Sequence, residues 1–170
     1  MSEIKQYLGH YSADLQAQVQ SMLDAEKTAA WLLNKYPSPH SLSSEKTLYQ
    51  FVQELKREYM RSAAPINKVL YDDKLHVIHN ALGLHTFVSR VQGKKLKAKN
   101  EIRVAALFRH VPEPFLRMIV AHELAHLREK EHNKAFYKLC QHMAPDYHQL
   151  EFEVRVYLCH RDRFGDLWLP

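Results

Sequence analysis

Between Phe115 and Leu127 the chain reads FLRMIVAHELAHL, with apolar side chains on almost every side of a helix. A helix that is apolar all round is one that a fold buries. Besides Arg117, this run carries three ionisable residues close together, His122, Glu123 and His126, in the pattern HExxH. At about 100° per residue the two histidines stand one turn apart on one side of the helix, where both imidazoles reach a single metal ion. Glu123 falls in the same arc, close enough to touch a metal-bound water without ligating. Burying such groups is costly unless each has a partner, and a metal with its water supplies one. The alternative is a histidine pair hydrogen-bonded inside the core. Composition alone would produce the motif about 0.06 times in such a chain, so its force comes from the buried helix around it. Neutral imidazoles suit Zn²⁺, one ion per chain, and a catalytic site keeps its fourth position for water.

A third ligand is expected beyond the helix. His132 leads: Arg128 to Glu131 form a charged turn, and Asn133 is placed to cap the next helix. The competing reading makes His132 a surface histidine in a charged loop. Glu151 and Glu153 are the other candidates, as in peptidases that take a glutamate from a later helix. The spacing HExxHx5H is that of the metzincins, but Glu129 stands where they have glycine, so that family fits poorly.

Around this helix the pattern predicts an α+β fold. Residues 12–36 and 45–63 show apolar stripes at helical spacing and end before Pro37 and Pro65. They form a helical N-terminal layer, 1–64. The stretches 75–79, 84–91 and 101–108 are rich in β-branched and aromatic residues, which predicts a small, mostly antiparallel sheet. A zincin-like active-site helix follows, then C-terminal helices at 132–147 and 149–164, although alternation at 151–158 also allows a strand. The expectation is one domain, 1–170, with sheet and catalytic core in 65–170.

With 46% hydrophobic and 25% charged residues, 4 Gly and 7 Pro, the chain is neither disordered nor collagen-like. No uncharged apolar run approaches the roughly 20 residues that span a bilayer. The start lacks the basic cap and apolar stretch of a secretory signal, so no membrane partner and a cytoplasmic location are expected. Cys140 and Cys159 form no CxxC pair, which leaves neither a disulfide framework nor a zinc ribbon. A net charge of +5 is compatible with an anionic partner but does not by itself indicate nucleic acid.

The segment HELAHLREKEHNKAF followed by MAPDY resembles the YgjP-like metal-dependent hydrolases, minimal zinc-peptidase-like domains. The matching features are HELxHL at 122–127, His132 opening a helix with Phe136, and Pro145-Asp146-Tyr147. The likeness to the YgjP-type branch continues through INKVLYDDKLHV and LGLHTFVSRVQGKKLKAKNEIRVA, and so covers most of the chain. It implies His122, His126 and His132 as ligands and Glu123 as the catalytic base. One departure stands out: many relatives have Ser-Arg-Trp-Gly-Ser where this chain has Ser89-Arg90-Val91-Gln92-Gly93.

The expected reaction is metal-assisted hydrolysis, with Glu123 taking a proton from water and returning it to the leaving group. On spacing alone, amide hydrolysis of a peptide is favoured, because triphosphate sites more often use Mg²⁺ on carboxylates. The resemblance implies instead that a nucleotide is cut, UTP to UMP and pyrophosphate. Lys94, Lys95, Lys97, Lys99 and Arg103 form a basic run that reads either as a charged edge resisting aggregation or as a phosphate grip. Within it Lys94, Lys95 and Arg103 are candidate substrate contacts, and Tyr147 or His148 is a candidate oxyanion stabiliser. His76, His79 and His85 read as ordinary strand histidines. A third reading, a DNA-associated protease of the SprT type, lacks the Cys-rich ribbon usual there. Oligomeric state is not legible.

Overall fold

The computed structural model describes residues 2–75, the backbone of 91–93, and residues 100–170. Its elements are helices α1 (Glu3–Leu8), α2 (Ala13–Asp24), α3 (Thr28–Lys35) and α4 (Glu45–Tyr59), strands β1 (Lys68–Asp72), β2 (Val91–Gly93) and β3 (Asn100–Ala105), a 3-10 turn (Ala106–His110), and helices α5 (Glu113–Ala125), α6 (Lys134–Met143) and α7 (Tyr147–Phe164). The fold is α+β, as the patterning predicts.

Three of the four N-terminal helices start where a short polar side chain offers an acceptor, and α3 starts without one. Ser2, Ser12 and Ser44 accept from the third N–H of α1, α2 and α4 respectively. The single helix expected over 12–36 is instead two. Glu26 takes the left-handed conformation (φ 56°). The Lys27 N–H reaches the Met22 carbonyl (2.9 Å) and the Glu26 N–H that of Leu23 (3.0 Å). This is the hydrogen-bond pair of a Schellman stop, built without the glycine that would mark it in sequence. The break lets Leu23 in α2 and Leu32 in α3 both reach the core. The helix expected over 45–63 stops at Tyr59, where Met60 turns inward.

The sheet corrects the expected strand directions. It has the order β1-β3-β2, with β1 parallel to β3 (Val69 opposite Ile102, Tyr71 opposite Val104) and β2 antiparallel to β3. β1 itself lies before the first expected strand. After it Leu75 closes a turn, its N–H on the Asp72 carbonyl (3.3 Å), and the Asp72 side chain accepts from Lys74 N (2.8 Å). Apart from Leu75 and the backbone of Val91, which opens β2, the expected strands at 75–79 and 84–91 lie outside the described residues, as do His76, His79 and His85. The third runs only to Ala105, after which the chain tightens into the 3-10 turn.

Helix α7 is the element against which α1, α2, α3, α5 and α6 all pack. It is helical throughout, with Val154, Val156, Tyr157, Leu158 and Cys159 buried, so the strand-like alternation at 151–158 reflects burial on several sides. α5 lies inside, as its all-round apolar pattern requires. At its first turn Phe115 meets Tyr36 and Trp168 edge-on (5.1 and 5.7 Å between centroids), and the Trp168 indole N–H donates to the Tyr36 carbonyl (2.8 Å). Phe115→Ala therefore opens a cavity among α3, α5 and the C-terminal tail. We expect a loss of about 3–5 kcal/mol in urea unfolding of the metal-free protein.

Candidate metal centre

The site is assembled from the end of α5 and the turn after it. His122 and Glu123 belong to the last turn of α5, and His126 caps it. The chain then reverses, with Leu127 N on Leu124 O (3.0 Å) and Glu129 N on Ala125 O (2.9 Å). Asn133 caps α6 by accepting from Phe136 N (2.8 Å) and donates to the Glu129 carboxylate (3.2 Å). These local bonds bring His132, one residue before the cap, back over the helix end.

The Nε2 of His126 lies 3.3 Å from that of His122 and 3.0 Å from that of His132. Three nitrogens at about 2.0–2.1 Å from a tetrahedral Zn²⁺ stand about 3.3 Å apart, so the spacing suits a shared ion. Proton bookkeeping agrees. The Nδ1 of His126 is 3.0 Å from the Glu129 carbonyl, which only accepts, so Nδ1 carries the proton and Nε2 of the neutral ring is a bare lone pair. One in-plane lone pair cannot serve two N–H donors with good geometry, whereas one cation meets all three nitrogens. Among the described residues this is the group of side chains that could hold a metal ion. Phe136 forms the floor, its ring 4.9, 4.6 and 4.7 Å from those of His122, His126 and His132. Burial depresses the pKa of His126, opposed by its bond to the Glu129 carbonyl and the charge of Glu131, which favours the neutral, ligating imidazole.

Glu123 is fully buried. Its charge is felt at Cys140, whose thiol is pushed up chiefly by burial and also by the carboxylates of Glu151 and Glu123, against a hydrogen bond with Tyr147. Glu123 and Glu151 are thus both close enough to Cys140 for their charges to act on it. Both cysteines are free and buried.

The other expected residues divide clearly. Tyr147 is fully buried, and its hydroxyl lies 2.8 Å from the Nδ1 of His122. Since Nδ1 and Nε2 are on opposite sides of the ring, Tyr147 stands behind this histidine, not in front of it where an oxyanion stabiliser belongs. His148 is exposed and packs against Tyr137. Arg103 sits on the other side of β3 from the buried Ile102 and Val104, and binds Asp72 (2.7 Å) and Glu101 (2.8 Å). Two carboxylates already meet its charge. Lys94, Lys95, Lys97 and Lys99 lie outside the described residues. Glu153 is held by Lys35, by the Tyr36 hydroxyl (2.5 Å) and by Gln149 (3.0 Å), which directs it toward α3 and away from the histidines. Glu151 lies 3.9 Å from the Arg155 Nε. Burial raises its carboxyl pKa, while the Arg155 and His148 charges and a hydrogen bond with Tyr147 lower it. Sequence reasoning weighed Glu151 only as a ligand and passed over Arg155. The available signal was spacing: Tyr147, Glu151 and Arg155 recur at i, i+4 and i+8 along one helix.

A buried HExxH helix, a third histidine folded back on it and a small sheet beside it define the class of metal-dependent hydrolase domains. The model of the YgjP-like family (YgjP-like, metallopeptidase domain) matches residues 2–155, and the chain belongs to that family. It is also 59% identical over 152 residues to the UTP pyrophosphatase of Escherichia coli (strain K12), covering 89% of this chain and 91% of that protein. No solved structure matches. No helix among the described residues is long and apolar enough to cross a membrane.

Proposed function

We propose that this chain is a Zn²⁺-dependent nucleoside triphosphate pyrophosphatase that hydrolyses UTP to UMP and pyrophosphate. The observation that carries the reading is the likeness to the E. coli UTP pyrophosphatase along nearly the whole of both chains. It reverses the order that motif chemistry alone suggests, in which peptide hydrolysis comes first.

In this reading His122, His126 and His132 hold the metal. A Zn²⁺ bound there supplies Lewis acidity and makes water acidic enough to ionise near neutral pH. Glu123 accepts a proton from the water that attacks the α-phosphorus. As the bond from that phosphorus to the bridging oxygen breaks, the carboxyl returns the proton to the departing pyrophosphate. Phe136 keeps the three imidazoles from turning and closes the space behind them to solvent.

The metallopeptidase reading stands second, on the description of the matching family. The SprT-type reading finds no support in two buried, separate cysteines. The test is to incubate the purified, zinc-loaded protein with UTP, the other nucleoside triphosphates and a mixed peptide library. Release of UMP and pyrophosphate in equal amounts supports the proposal. Peptide cleavage without any nucleotide cleavage overturns it and leaves the second reading.

Acid should empty the site. Protons compete with the metal for the same nitrogens, so affinity falls as pH falls. Because the pKa of His126 lies below its ordinary 6.5, this ligand holds out to lower pH than an exposed histidine. Bound zinc measured after gel filtration across pH 8 to 4 should stay level near neutrality and drop steeply only on the acid side.

A further inference from the structure

We infer that Tyr147, Glu151 and Arg155 form a buried positioning relay that fixes the tautomer and ring orientation of His122 from behind, anchored at its far end on α1. The inference rests on the three-histidine metal reading and deepens it.

The geometry runs in one line. The Nε2 of His122 faces the other histidines and its Nδ1 meets the Tyr147 hydroxyl at 2.8 Å. For Nε2 to present a lone pair to a metal, Nδ1 must carry the ring proton and donate it to the Tyr147 oxygen. The tyrosine's own proton then needs an acceptor. Glu151, one turn further along the same face of α7, is the carboxylate at hand and a stronger acceptor than the Cys140 sulfur that also neighbours the hydroxyl. Another turn on, Arg155 approaches Glu151 (3.9 Å) and donates through Nη1 to the Tyr7 carbonyl in α1 (2.6 Å). Tyr147 and Arg155 are almost wholly buried. A phenol, a carboxylate and a guanidinium in a helix interior are costly to place there. Leucine-like residues would pack α7 at less cost, so the row is expected to serve some purpose.

The two helix histidines differ in how they are held. A backbone carbonyl orients His126, and no side-chain substitution removes it. The Nδ1 of His122 meets a side-chain hydroxyl, that of Tyr147, so this support can be cut without touching a ligand. Such outer partners orient the ring and raise its basicity, and their loss typically weakens metal binding 10–100-fold.

The experiment measures Zn²⁺ affinity by competition with a chromophoric chelator at pH 7.5. It uses the wild type, His122→Ala, Tyr147→Phe, Glu151→Leu, Glu151→Gln and the Tyr147→Phe/Glu151→Leu double variant, with thermal unfolding of each metal-free protein alongside. We expect Tyr147→Phe and Glu151→Leu each to weaken binding about 10–100-fold. Glu151→Gln, which keeps an accepting oxygen, should recover most of that loss. The double variant should be no weaker than Tyr147→Phe, because the carboxylate acts only through the phenol. A merely structural role would lower the unfolding temperatures and leave chelator competition unchanged, or give losses that add in the double variant, and either result overturns the relay. Should Tyr147→Phe fail to fold, the contrast between Glu151→Leu and Glu151→Gln decides alone. A wild type that binds no zinc, or a His122→Ala variant that binds as tightly as wild type, sinks the metal reading itself. Wild-type affinity retained in Tyr147→Phe sinks only the relay.

Discussion

Glu123→Gln should leave zinc content at one ion per chain and lower turnover at least about a hundredfold. The amide has the carboxylate's size and can still hydrogen-bond, so the interior around it keeps its shape. It cannot accept a proton, which is the one property the hydrolysis asks of it. The separation of metal content from turnover is the informative result, because Glu123 lies beside a ligand in sequence and is buried with it. Measured together, zinc by absorption spectroscopy and pyrophosphate release distinguish a base from a ligand. A variant that loses metal in proportion to activity would make Glu123 part of the binding set. A variant with near wild-type turnover would remove it from the mechanism.

Replacing any one of the three histidines with alanine should empty the site under dialysis against a weak chelator, with activity falling to background. Three ligands leave no redundancy, since two imidazoles alone seldom retain zinc at neutral pH. His132→Ala is the most telling of the three because it stands outside the HExxH pattern. Of its two rivals in the sequence, Glu151 lies beside Arg155, and Glu153 is committed to Lys35, Tyr36 and Gln149 and cannot swing in as a substitute without abandoning three partners. Unchanged zinc occupancy in His132→Ala would therefore count against the whole ligand set.

Much of this site could be read from residues alone because its signals are local. The helix at 113–125 follows from apolar residues on every side, and His132 from a charged turn ending in a capping asparagine. The same reasoning failed where the deciding contact is distant. Glu26 stops α2 in a left-handed conformation with no glycine to announce it, so only packing of Leu23 and Leu32 explains the break. β1 is short and ends in two aspartates, and its strand character comes from parallel pairing with β3, some thirty residues on. The side of His122 on which Tyr147 lies was equally hidden, since it depends on how α7 crosses α5. Arg103 carries a charge that suggests phosphate in the sequence, but Asp72 on the neighbouring strand and Glu101 two residues back on its own strand bind it.

All three candidate ligands fall within residues 122–132, joined by one reversed turn. The loop that must close to bring them together is short, so the conformational entropy lost in closing it is small and grows only slowly with length. A pair of helices covering α5 and α6 thus contains all three candidate ligands, and in the proposed reading metal capture does not wait for the N-terminal helices to find their places. What does wait is support from α7, the next helix in the chain, and from α1, which lies at the opposite end of the sequence. Affinity should accordingly mature in two stages during folding. Loose capture by the local hairpin comes first, and the grip tightens when the last long helix settles against it.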